Sequence, residues 1–391
     1  MIEELLKPEI QAFIRANANI DIRQLALQKH KHSDWPFERI LDQIQSRQKA
    51  KKKLPSWYRN QDVVFPPSIS MEQCSSETTA KYKASLVEGG ETVIDLTGGF
   101  GIDVLAFSEH FNEAVYVEQD QWLSTLANHN FRILGSKTEV INTSSEQMLD
   151  NQDHYDLIYM DPARRNHNAQ KVIRLEDYSP NVLELLPKIL EKSKQYMLKV
   201  SPLFDVKLGI VQLSGVEEVH VVSVKNEVKE LLFIGSSDYS GEPTIIATNL
   251  EMDDDDFYFR FEEEEGTDIQ YGSLSRYLYE PNSAIIKAGA FKSLAMRYGL
   301  TKLHPNTQLY SSQRIIEGFP GRSFKVNQEL KLDKKYLKRL FPTMKANISI
   351  RNYPLTVRQI REKTGLKDGG GDYVFGLTDM TAKKLVLCEK F

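Results

Sequence analysis

The chain is 391 residues long, 41% hydrophobic and 27% charged, with a formal net charge of −4 and an isoelectric point near 6.1. That length exceeds what one core usually serves, so two or more domains are expected, and the charge gives no chain-wide basic signature for nucleic acid. Cys74 and Cys388 lie far apart and fit no ligand spacing, which argues against a disulfide scaffold, a zinc site or an iron–sulfur cluster.

Residues 1–60 read as a small helical region, with Leu5, Leu6, Ile10, Phe13, Ile14, Ile40, Leu41 and Ile44 at helical spacing. Its start lacks the basic-then-apolar order of a signal peptide, and no apolar run is long enough to cross a bilayer. A cytoplasmic protein without a membrane partner is expected. The region ends in Lys49, Lys51, Lys52 and Lys53 beside Trp57 and Tyr58, a pattern that suits either stacked bases over bound phosphates or a solvated helix end. His30 and His32 flank one lysine and the other histidines are scattered, so no metal site is expected.

Residues 61–240 alternate strands and helices. Ser75 or Ser76, followed by Thr78 and Thr79, marks a helix start, and Gln73, Ser75 and Ser76 are candidates to line a ligand pocket. Thr92–Leu96 is a buried strand, followed by the glycine turn Gly98, Gly99, Gly101 and a helix Ile102–His110. Strands follow at Ala114–Glu118, Val140–Asn142, Tyr155–Met160 and Tyr196–Val200, with helices at Trp122–Leu134, Val182–Ser193 and Val206–Leu213. Val219–Val224 and Glu230–Ile234 close the sheet as an antiparallel edge hairpin. The alternation predicts a mainly parallel α/β sheet, whose ligands sit outside the carboxyl ends of the strands.

The turn lacks the third glycine of a dinucleotide fold and the Gly-Lys-Ser/Thr of a P-loop. An acid, Asp95, stands before the glycines. It would repel a pyrophosphate and receive a cationic amine, which points to S-adenosylmethionine rather than NAD. Glu118, ending the second strand, is placed for two ribose hydroxyls.

Asp95-Leu-Thr97-Gly98-Gly99-Phe-Gly101, with Glu118 and Asp161-Pro162 in order, resembles class I S-adenosylmethionine-dependent methyltransferases over about residues 63–235. The resemblance implies a Rossmann-like seven-stranded sheet, with Ser145 and Glu146 near the adenine. Asp161-Pro162-Ala163-Arg164-Arg165 is similar to the Asn/Asp-Pro-Pro-aromatic motif of enzymes that methylate exocyclic amines of nucleobases. An aryl amine is a poor nucleophile because its lone pair is delocalised. Hydrogen bonds accepted by the Asp161 carboxylate and the Pro162 carbonyl would aim that lone pair at the methyl group. Ala163 and Arg164 depart from the motif; Arg164 and Arg165 can stack on a base, grip phosphate or form structural ion pairs.

Beyond Gly235, residues 241–318 carry acidic blocks, Asp253–Asp256 and Glu262–Glu265, around an aromatic strand from Phe257, then a helix Ser283–Tyr298 started by Pro281 and Asn282. From Tyr310 the balance turns basic, through Arg314, Lys334, Lys335, Lys338 and Arg339. Residues 319–391 read as an α/β module with strands at Ala346–Asn352, Tyr373–Leu377 and Lys384–Cys388, a helix at Thr356–Thr364 and a turn at Gly369–Gly371. Tyr279–Asn282 to Leu309–Ser311 resembles a ferredoxin-like segment, and Ile348–Pro354 with Lys367–Tyr373 resembles a THUMP-like domain. This implies RNA as the partner and methylation of an exocyclic amino nitrogen of an RNA base. The alternatives are methylation of a protein or small molecule, or a non-catalytic RNA-binding protein that keeps the fold.

Overall fold

In the computed structural model, which describes residues 2–27, 34–164 and 174–391, the N-terminal segment folds as helices. They span Ile2–Leu5, Pro8–Ala16, Ile22–Ala26, Phe37–Lys53, Pro55–Arg59, Ser68–Gln73 and Glu77–Ser85. The apolar positions at helical spacing do what that spacing requires: Ile10, Ile14, Ile40 and Ile44 are buried in one hydrophobic cluster with Val93 and Tyr116 of the following sheet. The lysine run divides by contact. Lys53 Nζ donates to the carbonyls of Met71 (2.8 Å) and Glu72 (2.7 Å), and Lys49 pairs with Glu72, so both fasten the helix Ser68–Gln73. Trp57 is buried with its ring 4.8 Å from that of Phe100. This part of the run is packing rather than an open stacking surface.

The chain divides into two compact units, residues 1–217 with 231–241 and residues 218–230 with 242–391. Strands are numbered along the chain: β1 Gly90–Asp95, β2 Phe111–Val117, β3 Glu139–Ile141, β4 Tyr155–Met160, β5 Ala163–Arg164, β6 Tyr178–Ser179, β7 Ser193–Val200, β8 Val216–Val224, β9 Glu227–Gly235, β10 Thr244–Leu250 and β11 Phe257–Phe259. The large sheet has the hydrogen-bonding order β11-β10-β8-β9-β7-β4-β1-β2-β3. β1, β2, β3, β4 and β7 are parallel, and β9 is antiparallel to β7. The parallel strands therefore end on one side, and the glycine turn after β1 lies beside the residues after β4.

Seven of these strands match the expected sheet, but two more follow. β8 and β9 do form a hairpin, turned by Lys225 (φ 50°) and Asn226 (φ 64°), yet they are not the edge. β10 pairs parallel with β8 in register Thr244 to Glu218, and β11 pairs antiparallel with β10. The sequence of β10, Thr-Ile-Ile-Ala-Thr-Asn-Leu, is a buried apolar run masked by the acidic segments after it.

In the second unit β12 Tyr277–Pro281, β13 Thr301–His304, β14 Thr307–Ser312, β15 Gly321–Glu329, β16 Asn347–Arg351, β17 Asp372–Thr378 and β18 Lys383–Lys390 form one sheet, ordered β13-β14-β12-β15-β18-β17-β16. Helices span Lys334–Leu340 and Val357–Thr364, the second opened by a capping box of Thr356 and Gln359. The expected helix Ser283–Tyr298 is two helices, Ser283–Ala288 and Lys292–Tyr298. Gly289 at φ 83° ends the first in the left-handed region that terminates helices. Asn282 does cap it, accepting the N–H of Ile285 at 3.0 Å, whereas Pro281 belongs to β12.

Candidate active site

The site lies wholly in the first unit and begins where β1 stops. Asp95 is 2% exposed, and its Oδ1 accepts the N–H of Thr97 at 2.9 Å. Burial pushes its carboxyl well above the usual range, and negative neighbours Asp103, Asp161 and Glu118 push the same way. A carboxyl in that condition is ionised most readily when a cation arrives beside it. Thr97 links the two halves of the site, because its Oγ1 accepts the backbone N–H of Asp161 at 2.6 Å. Ser145, buried at the start of the helix Ser145–Met148, donates its hydroxyl to the carbonyl of Leu96 at 2.6 Å. The hydroxyl is thereby committed to the end of β1.

The three glycines serve different ends. A Cβ on Gly98 would stand 2.2 Å from the ring of Tyr116, and one on Gly101 2.5 Å from that of Phe131, so these two admit the protein's own aromatic rings. Gly99 alone, at φ 54°, faces space, the nearest atom to its would-be Cβ being the Thr97 carbonyl at 3.7 Å. The Gly99 N–H donates to Glu118 Oε2 (3.0 Å) and the Asp120 N–H to Oε1 (2.8 Å). Each carboxylate oxygen keeps acceptor capacity for a hydroxyl. Asp120 itself caps the helix Gln121–Ile133.

Across the turn, Asp161 is half-buried, Pro162 buried and Arg164 exposed on the short strand β5, which pairs with β6. Arg165 lies outside the described residues. Asp161 forms an ion pair with Lys199, which is only 9% exposed. β4 and β7 pair Met160 with Leu198, so the next residues, Asp161 and Lys199, emerge side by side. Behind them, Asp103 Oδ2 accepts the hydroxyls of Ser75 and Tyr159, each at 2.7 Å, and Oδ1 pairs with the fully buried Lys83 at 3.1 Å. Ser75 Oγ also accepts from Lys83 at 3.0 Å and from Lys199 at 3.4 Å. Burial alone would raise the Asp103 carboxyl, but Lys83 and Lys199 hold it below the usual range.

Of the residues singled out from sequence, Asp95, Thr97, Gly98, Gly99, Gly101, Glu118, Ser145 and Asp161 thus meet around the ends of β1, β2 and β4, with Ser75 behind them. Gln73 stands exposed at the end of the helix Ser68–Gln73. Sequence reasoning missed Lys83, Asp103, Tyr159 and Lys199. Lys199 carried a signal: it is the one charge in the apolar strand Tyr196–Val200.

Residues 78–198 match a family model described as conserved hypothetical protein 95, residues 277–320 one described as a ferredoxin-like domain, and residues 321–390 one described as THUMP domain-like. The fold and the relatives named next define a class I S-adenosylmethionine-dependent methyltransferase, with S-adenosylmethionine as cofactor. A crystal structure of a protein assigned as a methyltransferase from Porphyromonas gingivalis W83 is 33% identical, covering 100% of this chain and 98% of that one at a TM-score of 0.88. The chain belongs to that protein's family, and in this chain the ferredoxin-like and THUMP-like matches follow the match over residues 78–198. An uncharacterised S-adenosylmethionine-dependent methyltransferase of Mycobacterium tuberculosis, in strains CDC 1551 and H37Rv, is 22% identical over 306 residues, 76% of this chain and 80% of the relative. Among the described residues, no helix is long and apolar enough to cross a membrane.

Proposed function

We propose that this protein methylates an exocyclic amino nitrogen of an RNA base. The observation that carries the reading is the double engagement of Thr97, whose N–H binds Asp95 while its Oγ1 receives the N–H of Asp161. That bond ties the Asp-Pro motif to the turn proposed to hold the cofactor. The match of residues 321–390 to a THUMP domain-like family supports RNA as the partner, as do the exposed Lys334, Lys335, Lys338 and Arg339.

In this reading Asp95 and Thr97 serve the cationic methionine end of the cofactor, Gly98, Gly99 and Gly101 form its cradle, and Glu118 accepts the ribose hydroxyls. Ser145 contributes its backbone N–H near the adenine. Bound S-adenosylmethionine supplies the electrophilic methyl group. Asp161 Oδ1 and the Pro162 carbonyl would accept the N–H bonds of the acceptor amine and turn its lone pair toward that methyl, and the proton that the methylated nitrogen gives up would pass to solvent water. Arg164 stacks on the base or binds phosphate, and Arg165 is proposed for phosphate.

The test uses labelled S-adenosylmethionine and RNA from cells that lack the protein. Label is expected in one modified nucleoside, and Asp161→Ala should lose at least about 100-fold in transfer while calorimetric cofactor affinity stays within about threefold. Label confined to protein or small molecules, or equal losses of affinity and rate, would overturn the reading.

A further inference from the structure

Lys199 is an anomaly for a buried strand. An ammonium taken out of water is costly, and a well-packed apolar pair often serves stability as well as a buried ion pair does. Yet β7 delivers Lys199 from the run Tyr-Met-Leu-Lys-Val to the same end of the sheet as Asp161, one step past the paired Met160 and Leu198. Its ammonium lies within 3.4 Å of Ser75 Oγ, which donates to Asp103, and Asp103 is in turn held by Lys83 and Tyr159. A connected polar group of this kind fixes each member's orientation.

We infer that Lys199 is a positioning residue for methyl transfer: it holds Asp161 through Oδ2, while Thr97 holds the Asp161 backbone, so that Oδ1 is presented to the acceptor amine. The inference rests on the acceptor role given to Asp161 above. It adds a specificity. With its charge balanced by Lys199, Asp161 offers a hydrogen-bond acceptor without a net attraction for an ammonium ion, which suits a neutral aryl amine over a protonated alkyl amine.

A double-mutant cycle on the full chain tests this, comparing wild type, K199M, D161N and K199M/D161N, with K199R as the charge-conserving variant. Cofactor affinity, methyl transfer to RNA and thermal midpoint are measured for each. K199M should lower kcat by about 100-fold with cofactor affinity within about threefold, because the lost contact acts on the acceptor. K199R should recover at least about tenfold of that loss, and K199M should cost less than about threefold more in the D161N background. A loss that multiplies equally in both backgrounds, or a K199M protein with lowered midpoint and unchanged kcat, would overturn the inference. If wild type labels no RNA, the RNA reading fails separately. The midpoint cycle then still decides whether Lys199 and Asp161 act as one unit: coupled shifts support it and additive shifts overturn it.

Discussion

Asp95 shows how a single residue carries information that its identity alone does not. The acid before a glycine turn suggests a cationic ligand, but burial near Asp103, Glu118 and Asp161 sets how that carboxyl titrates. Its carboxyl is raised, so the folded protein without ligand favours the protonated form more than a free aspartate would. A cationic ligand favours the ionised form, and its binding should therefore release a proton from Asp95. The sign follows: cofactor affinity rises with pH through the titration of Asp95 and levels off above it. Calorimetry in buffers of differing ionisation enthalpy should detect that proton. Asp95→Asn should weaken binding by at least about tenfold and flatten its pH dependence, in line with the loss of a charge-assisted contact.

At the scale of elements, the acidic block Glu262–Glu265 illustrates how charge runs mislead. Glu264 reaches the start of the helix Lys292–Tyr298 and accepts the backbone N–H groups of Phe291 (3.0 Å), Lys292 (2.7 Å) and Ser293 (2.8 Å), with the Ser293 hydroxyl also at 2.8 Å. Those are the donors a helix start leaves without partners, and a carboxylate from elsewhere in the chain satisfies them. Glu264→Ala should cost about 2 kcal/mol in urea unfolding, whereas Glu262→Ala, whose side chain is exposed on the helix Phe261–Gly266 that also carries Glu264, should stay within about 0.5 kcal/mol. Lys302 acts similarly on a hairpin: buried at 2% exposure, it donates to the carbonyls of His304, Pro305 and Thr307 at the turn between β13 and β14.

For the whole molecule, the ferredoxin-like and THUMP-like segments are parts of one sheet rather than two beads. β12 of the first pairs with β15 of the second, and Glu280 of β12, 3% exposed, is gripped by Arg322 of β15 and by Arg351 of β16 at 2.6 Å. Asn352 Nδ2 donates to Thr307 Oγ1 at 3.1 Å, and that hydroxyl donates to the Thr378 carbonyl at 2.8 Å, closing the same body. Removing both arginines leaves a buried carboxylate without partners, while neutralising Glu280 leaves only half-exposed guanidiniums that water can reach. Arg322→Met with Arg351→Met should thus cost about 3–5 kcal/mol and Glu280→Gln about 2–3 kcal/mol, read from denaturant midpoints. The reverse order would mean that the arginines, not the carboxylate, bear the desolvation.

Much of this was legible in the chain itself. Periodicity located the strand Tyr155–Met160, the strand Ser193–Val200 but for its first three residues, and the helix from Val182, because a buried strand must be apolar and a packed helix must be amphipathic. Asp95, the glycines, Glu118 and Asp161 were legible because each sits at a strand end, where sequence order and position in the sheet coincide. The sequence by itself therefore determined the class of sheet and which charged residues stand at its strand ends. Only the tertiary structure decided which glycine faces open space, that β10 and β11 extend the sheet, and that Lys199, Ser75, Asp103 and Lys83 stand behind Asp161. Those facts depend on contacts between residues 8 to 124 positions apart, and no local pattern encodes which buried charge will meet which.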